Sequence, residues 1–192
     1  MVSKQQRTDG NQEDQGRILI CGTGRAGTSF LVRLLTYFGE DTGFSPERES
    51  YFGDVRAGCE HAANGWDDVA LWEKLPRIVK SPYLSTSLHL VPVPIEHILI
   101  PVRDIDDATK SREGEKLHWP GVDDQRKKNC EVLGECIAAC VTIKLPFTII
   151  PFEVLTSNPM ELLDLMSPSF TSLPSGEDFA KAYHELKPER KL

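Results

Sequence analysis

Between residues 17 and 39 a short apolar run (RILIC) breaks into a glycine-rich stretch (GTGRAGTS). Beyond it Phe30, Leu31, Leu34, Leu35 and Phe38 recur at helical spacing, and Gly39 stands where a helix would stop. An apolar run this short, without alternation, reads as a parallel strand buried on both faces. The residues after the glycines read as a helix packed by one face. Strand, glycine turn and helix in direct succession restrict the fold more than anything else in the chain. Other short β-rich runs fall at 77–80 (RIVK), 97–102 (HILIPV) and 147–151 (FTIIP), each ending in Pro, Ser or charged residues. Helical patterns interleave with them at 104–115, 123–144, 158–166 with Pro159 at the opening, and 177–186 after a Ser/Pro-rich connector at 167–176. Such alternation predicts an α/β fold, a three-layer α/β/α arrangement around a mostly parallel sheet. Residues 41–66 carry no periodicity and read as a long loop, a kind of segment that is often functional.

Composition limits the partners. With 22 Lys and Arg against 29 Asp and Glu, the chain of 192 residues carries a net charge of -7. That balance excludes a general binder of nucleic acid or of anionic membranes, so any anion site must be local. No apolar run approaches the roughly 20 residues that span a bilayer. The polar residues 1–16 lack the apolar core of a secretory signal and read as a disordered leader, with one domain over 17–192. The five cysteines form no C-x-x-C pair, so neither a disulfide framework nor a zinc ribbon is expected, and a reducing, cytoplasmic setting follows. Cys136 and Cys140, one helical turn apart, are read as small residues on a buried helix face in preference to a shared metal site.

The glycine stretch fits several phosphate patterns, because glycines let consecutive N–H groups converge on an anion at the start of a helix. A tight turn with no ligand is the plain alternative. The dinucleotide fingerprint G-x-G-x-x-G is satisfied, and Asp41 stands near the spacing of its acidic partner. The segment before Asp41 supplies no second strand. The Walker A pattern matches Gly22, Gly27 and Ser29 but has Thr28 where its lysine should be, and Asp104 is the nearest acid for a metal. An ordinary ATPase or nucleotide kinase is disfavoured on that ground, and a phosphate-binding module without turnover stays open.

The departure from Walker A leads to a third reading. Residues 22–31 (GTGRAGTSFL) resemble the 5′-phosphosulfate loop of the sulfotransferases, enzymes of P-loop NTPase-like fold that use 3′-phosphoadenosine 5′-phosphosulfate (PAPS). Val79-Lys80-Ser81-Pro82 resembles that family's lysine-hydroxyl-proline element. Residues 100–111 (IPVRDIDDATKS) resemble its 3′-phosphate element, and residues 151–159 (PFEVLTSNP) its late acid-bearing strand end. The four pieces occur in the family's order across about 140 residues. The resemblance implies PAPS as donor, PAP as product and no metal. It places Gly22, Thr23, Gly24, Arg25, Ala26, Gly27, Thr28 and Ser29 around the 5′-phosphate, with Arg25 at the phosphosulfate bridge. Phe30 is expected to stack on adenine or to lie in the core. Arg103 and Ser111 are expected at the 3′-phosphate, Arg103 having a structural ion pair as its alternative, and Lys80 at the transferring group. For the base the resemblance calls for a His or Glu, and the candidates are Glu47, Glu49, Glu60, His61 and His118, with His61 and Glu60 favoured. The family's later Arg-Gly or Lys-Gly clamp is missing, leaving Arg126, Lys127 and Lys128 as substitutes. The acceptor is expected to be a small molecule or glycan held by the loops at 41–66 and 113–122, with Phe44, Tyr51, Phe52 and Trp66 lining the site or, equally, lying in the core. The acids of the 41–66 loop favour a polyol or cationic acceptor over a polyanionic one.

Overall fold

The structure, a computed structural model, describes residues 16–45, 65–114, 123–170 and 172–187. In chain order these form β1 (Arg17–Ile20), α1 (Thr28–Tyr37), α2 (Val69–Trp72), β2 (Ile78–Lys80), β3 (Ile95–Val102), α3 (Ile105–Gly114), α4 (Gln125–Thr142), β4 (Phe147–Pro151), α5 (Phe152–Ser157), α6 (Pro159–Met166) and α7 (Gly176–Leu186). Two 3-10 turns, Pro82–Thr86 and Leu88–Leu90, link β2 to β3. The protein is α/β: among the described residues four strands make one sheet in the order β2-β1-β3-β4, and every pairing is parallel.

Strand β1 shows why helices must cover both faces. Ile18 and Ile20 point into one apolar cluster, with Leu31, Leu34 and Leu35 of α1, Leu155 of α5, Leu162 of α6 and Phe179 of α7. Leu19 and the following Cys21 point into another, with Trp72 of α2, Leu84 and Leu88 of the 3-10 turns, and Cys136 and Cys140 of α4. A strand whose two sides are both apolar can only be buried by a layer on each side. Helix α1 ends as its sequence predicts. Gly39 has φ 79° and donates to the carbonyl of Thr36, while Glu40 N–H bonds the carbonyl of Leu35, which together close the last turn. Asp124 and Asn158 cap α4 and α6 by accepting from Lys127 N–H and Glu161 N–H.

Cys136 and Cys140 are fully buried in the core beside Cys21, the packing role read for them. The Cys140 thiol is pushed up from its ordinary range, first by its hydrogen bond with Cys136 and then by burial, which keeps it protonated and inert. Trp66 joins the same cluster, its carbonyl accepting from Trp72 Nε1 at 2.9 Å, and Phe44 packs against the other cluster. Of these two rings, considered for an acceptor site or for the core, Trp66 is buried in the core and Phe44 is half-buried against it. Among the described residues no helix is long and apolar enough to cross a membrane.

His97 on β3 bonds Thr148 of β4 across the sheet, its Nε2 lying 2.8 Å from Oγ1. Burial lowers its pKa below 6.5 against the opposing pull of Glu96. The folded protein therefore favours the neutral ring, and below 6.5 the unfolded chain binds more protons than the folded one. Stability is expected to fall as pH drops from 6.5 towards the folded-state value, and to lose this dependence below it. Urea midpoints at about pH 7.5 and about pH 5.5, for the wild type and for His97→Gln, measure the contribution. An equal midpoint change in both proteins rules His97 out as its source.

Candidate active site

Strand β1 lies between β2 and β3, so the chain's first crossover runs to one side of it and the next returns past it to the other. Open parallel sheets bind ligands at such a reversal, outside the carboxyl ends of the strands. The glycine loop leaves β1 at that edge. Its backbone is left-handed at Gly24 (φ 72°), Arg25 (φ 58°) and Gly27 (φ 91°). At Gly27, which precedes the first turn of α1, a Cβ would stand 2.1 Å from Cδ2 of the buried Leu155. At Gly24 it would stand 2.8 Å from Arg112 Nη2. Arg25 is a non-glycine residue in a conformation that L side chains disfavour. It is held there from α3, since its Nε donates to Ser111 Oγ at 3.1 Å.

Each end of the loop is tied to another segment. Ser85 Oγ accepts from Gly22 N–H at 2.7 Å and lies 3.0 Å from Gly22 O, bonding the root of the loop twice. At the far end Lys80, only 2% exposed at the end of β2, donates its Nζ to Ser29 Oγ at 3.0 Å. Thr28 occupies the position of a Walker lysine, and the ammonium that reaches this end of the loop comes from the neighbouring strand instead. Arg103 follows β3 and sends Nη1 towards Arg25 O at 3.5 Å. Its guanidinium lies over the Phe152 ring, 4.6 Å from the centroid, with Asp107 at 4.0 Å. Its Nε is buried with no hydrogen-bond partner among the described residues. Arg112 donates to the carbonyl of Thr23. In a chain of net charge -7, this edge gathers Arg25, Lys80, Arg103 and Arg112 on one loop.

No protein-family model, curated protein or solved structure matches the chain. The site therefore rests on its own geometry. Lys80, Arg103 and Ser111, chosen from two distant segments, all touch the glycine loop. Asp104 does not serve as a free acid at the strand end, because its Oδ1 caps α3 by accepting from Asp107 N–H at 3.0 Å. Ala26 and Thr28 are buried, and Thr23 Oγ1 donates to Gly24 O. Phe30, expected at adenine or in the core, takes the core position: its ring is 7% exposed and meets Tyr183 edge-on at 5.4 Å. The substitutes for the missing clamp are engaged with acids, Arg126 with Asp106 at 2.5 Å, and Lys127 and Lys128 with Glu131. The base candidates Glu47, Glu49, Glu60, His61 and His118, and the aromatic residues Tyr51 and Phe52, lie outside the described residues. Ser85 and Arg112 were missed by sequence reasoning. Ser85 belongs to no motif, while Arg112 could have been found as the cation beside Ser111.

Proposed function

We propose that the protein is a sulfotransferase of P-loop NTPase-like fold that moves a sulfuryl group from PAPS to a hydroxyl or amine of a small-molecule or glycan acceptor, without a metal. The observation that supports this reading best is the convergence of Arg25, Lys80, Arg103 and Ser111 on one glycine loop at the sheet's reversal point. A donor with phosphates at both its 5′ and 3′ positions calls for two cationic subsites, and the site supplies cations from three strand ends. Arg103 fits an anion, since its buried Nε is a donor with no partner among the described residues. Ser111 fits as well, because accepting from Arg25 leaves its own proton to donate.

PAPS supplies a sulfuryl group on a phosphate leaving group, with negative charge gathering on the departing bridge oxygen. The chain's part is electrostatic. In this reading the loop amides and the Ser29 hydroxyl hold the 5′-phosphate, and Arg25 and Lys80 supply positive charge beside the bridge. Arg103 and Ser111 hold the 3′-phosphate. The short tether of Lys80 to Ser29 keeps its ammonium at the loop without spending side-chain freedom when a ligand arrives. His61 or Glu60 takes the acceptor proton.

Calorimetry with PAP and ATP, each with and without Mg²⁺, tests the reading. Binding of PAP that is indifferent to Mg²⁺ is expected, followed by sulfate transfer from PAPS to members of a hydroxyl and amine panel. Mg²⁺-dependent binding of ATP without binding of PAP would sink it.

A further inference from the structure

Arg112 belongs to no recognised motif, yet its side chain makes a direct bond to the glycine loop. It follows Ser111 on α3, is 9% exposed, and its Nη2 donates to the carbonyl of Thr23. Burying a guanidinium is costly, and an apolar residue would pack a helix more cheaply. Helix α3 is also seated on α4 by contacts that do not involve Arg112: Asn129 donates to Thr109 Oγ1 at 2.9 Å and Arg126 pairs with Asp106. The bond to the loop is what sets Arg112 apart from those contacts.

A trans peptide is planar, with its C=O and the following N–H pointing in opposite directions. Drawing Thr23 O towards Arg112 therefore turns Gly24 N–H away from α3. Arg103 does the same for Ala26 N–H by drawing in Arg25 O. Gly24 makes room for this arrangement, since a Cβ there would meet Arg112 Nη2 at 2.8 Å. We infer that Arg112 is a positioning residue: it fixes the Thr23–Gly24 peptide so that Gly24 N–H is presented to an anion in the loop. This rests on the reading of the loop as a phosphate cradle, not on which nucleotide the cradle takes.

The test uses the full chain and two probes, PAP and inorganic pyrophosphate, with amide exchange of Gly24 and Ala26 followed by NMR in the ligand-free protein. Arg112→Ala is expected to weaken pyrophosphate binding roughly tenfold and to change exchange at Gly24, with Arg112→Lys recovering part of both. Gly24→Ala displaces the guanidinium and should give a similar loss, while the double variant binds no worse than either single one. Should Arg112→Ala fail to fold, Arg112→Lys carries the test through a severalfold loss with the same amide signature. Wild-type affinity in a folded Arg112 variant, unchanged Gly24 exchange, or additive losses would overturn the assignment. A wild type that binds pyrophosphate but not PAP refutes the sulfotransferase reading alone. One that binds neither refutes the cradle and this assignment with it.

Discussion

Replacing Arg103 with alanine is expected to weaken PAP binding roughly a hundredfold, a loss of about 2.7 kcal/mol. The guanidinium is held before any ligand arrives: the Phe152 face lies 4.6 Å from it, and Arg25 O and Asp107 take its two terminal nitrogens at 3.5 and 4.0 Å. Both polar contacts are long and therefore weak, and Nε is buried without a partner among the described residues. A doubly charged phosphate offers those donors short, charge-assisted bonds, and removing one partner of such a pair costs about 2 to 5 kcal/mol. The lower part of that range applies because Asp107 offsets some of the charge and the side chain remains a quarter exposed. Folding stability should change by less than about 1 kcal/mol, since the ion pair with Asp107 is solvent-exposed. Arg103→Lys, which keeps the charge but cannot stack on Phe152 or fork onto a phosphate, should fall between the two. A loss of less than about threefold in calorimetry would remove Arg103 from the site and leave its contacts structural.

Gly27→Ala acts on stability, and there its effect should be the largest of any single methyl added to the loop. An L residue at φ 91° costs about 1 to 2 kcal/mol in backbone strain. The new methyl also stands 2.1 Å from Leu155 Cδ2 and 3.8 Å from Phe152 Cε2. Leu155 is fully buried among Leu162, Phe179 and the α1 leucines, so it cannot swing into solvent, and overpacking of this kind costs about 1 to 3 kcal/mol more. The sum is about 2 to 5 kcal/mol, read as a lowered urea midpoint at unchanged slope. Gly24→Ala should cost less, because the atom it meets is the end of a long arginine that can move. Trimming Leu155 to alanine in the Gly27→Ala background should restore part of the stability, a non-additive result that identifies the clash. Strictly additive losses would mean that the glycine is needed for its backbone alone.

The fold was legible where local chemistry and tertiary role agree. The runs at 17–21, 77–80 and 147–151 stood out because parallel strands buried on both sides are apolar without alternation, and glycine or proline bounds them. Strand β3 begins at Ile95, earlier than the apolar run at 97, because Glu96 interrupts the pattern. At the exposed amino edge of the sheet that carboxylate pairs with Arg77 at 2.9 Å, so the polarity is tolerated. The four-residue α2 left no periodic trace, being less than two turns long, and is held by Trp72 in the core. At the site, Lys80, Arg103 and Ser111 were singled out through the resemblance, and each touches the glycine loop, Lys80 and Arg103 from strand ends and Ser111 from within α3. Ser85 was not, since a hydroxyl that bonds Gly22 across 63 residues has no local signature. Phe30 satisfied an aromatic position near a ligand and a helical core position at once, and only the packing against Tyr183 separates the two.

The ties that hold the glycine loop also set when it can form. Gly22 waits for Ser85, Ser29 for Lys80, Arg25 for Ser111, and Thr23 for Arg112, contacts that span 63, 51, 86 and 89 residues of chain. Loop-closure entropy opposes each of them until the intervening chain is in place, so none can be made by β1 and α1 alone. The loop's full set of bonds is complete only when the segments around β2 and β3 have docked on either side of β1. If the loop holds an anion as proposed, affinity for that anion reports that the sheet has closed, and a chain arrested before β3 joins has the glycine sequence without its side-chain ties.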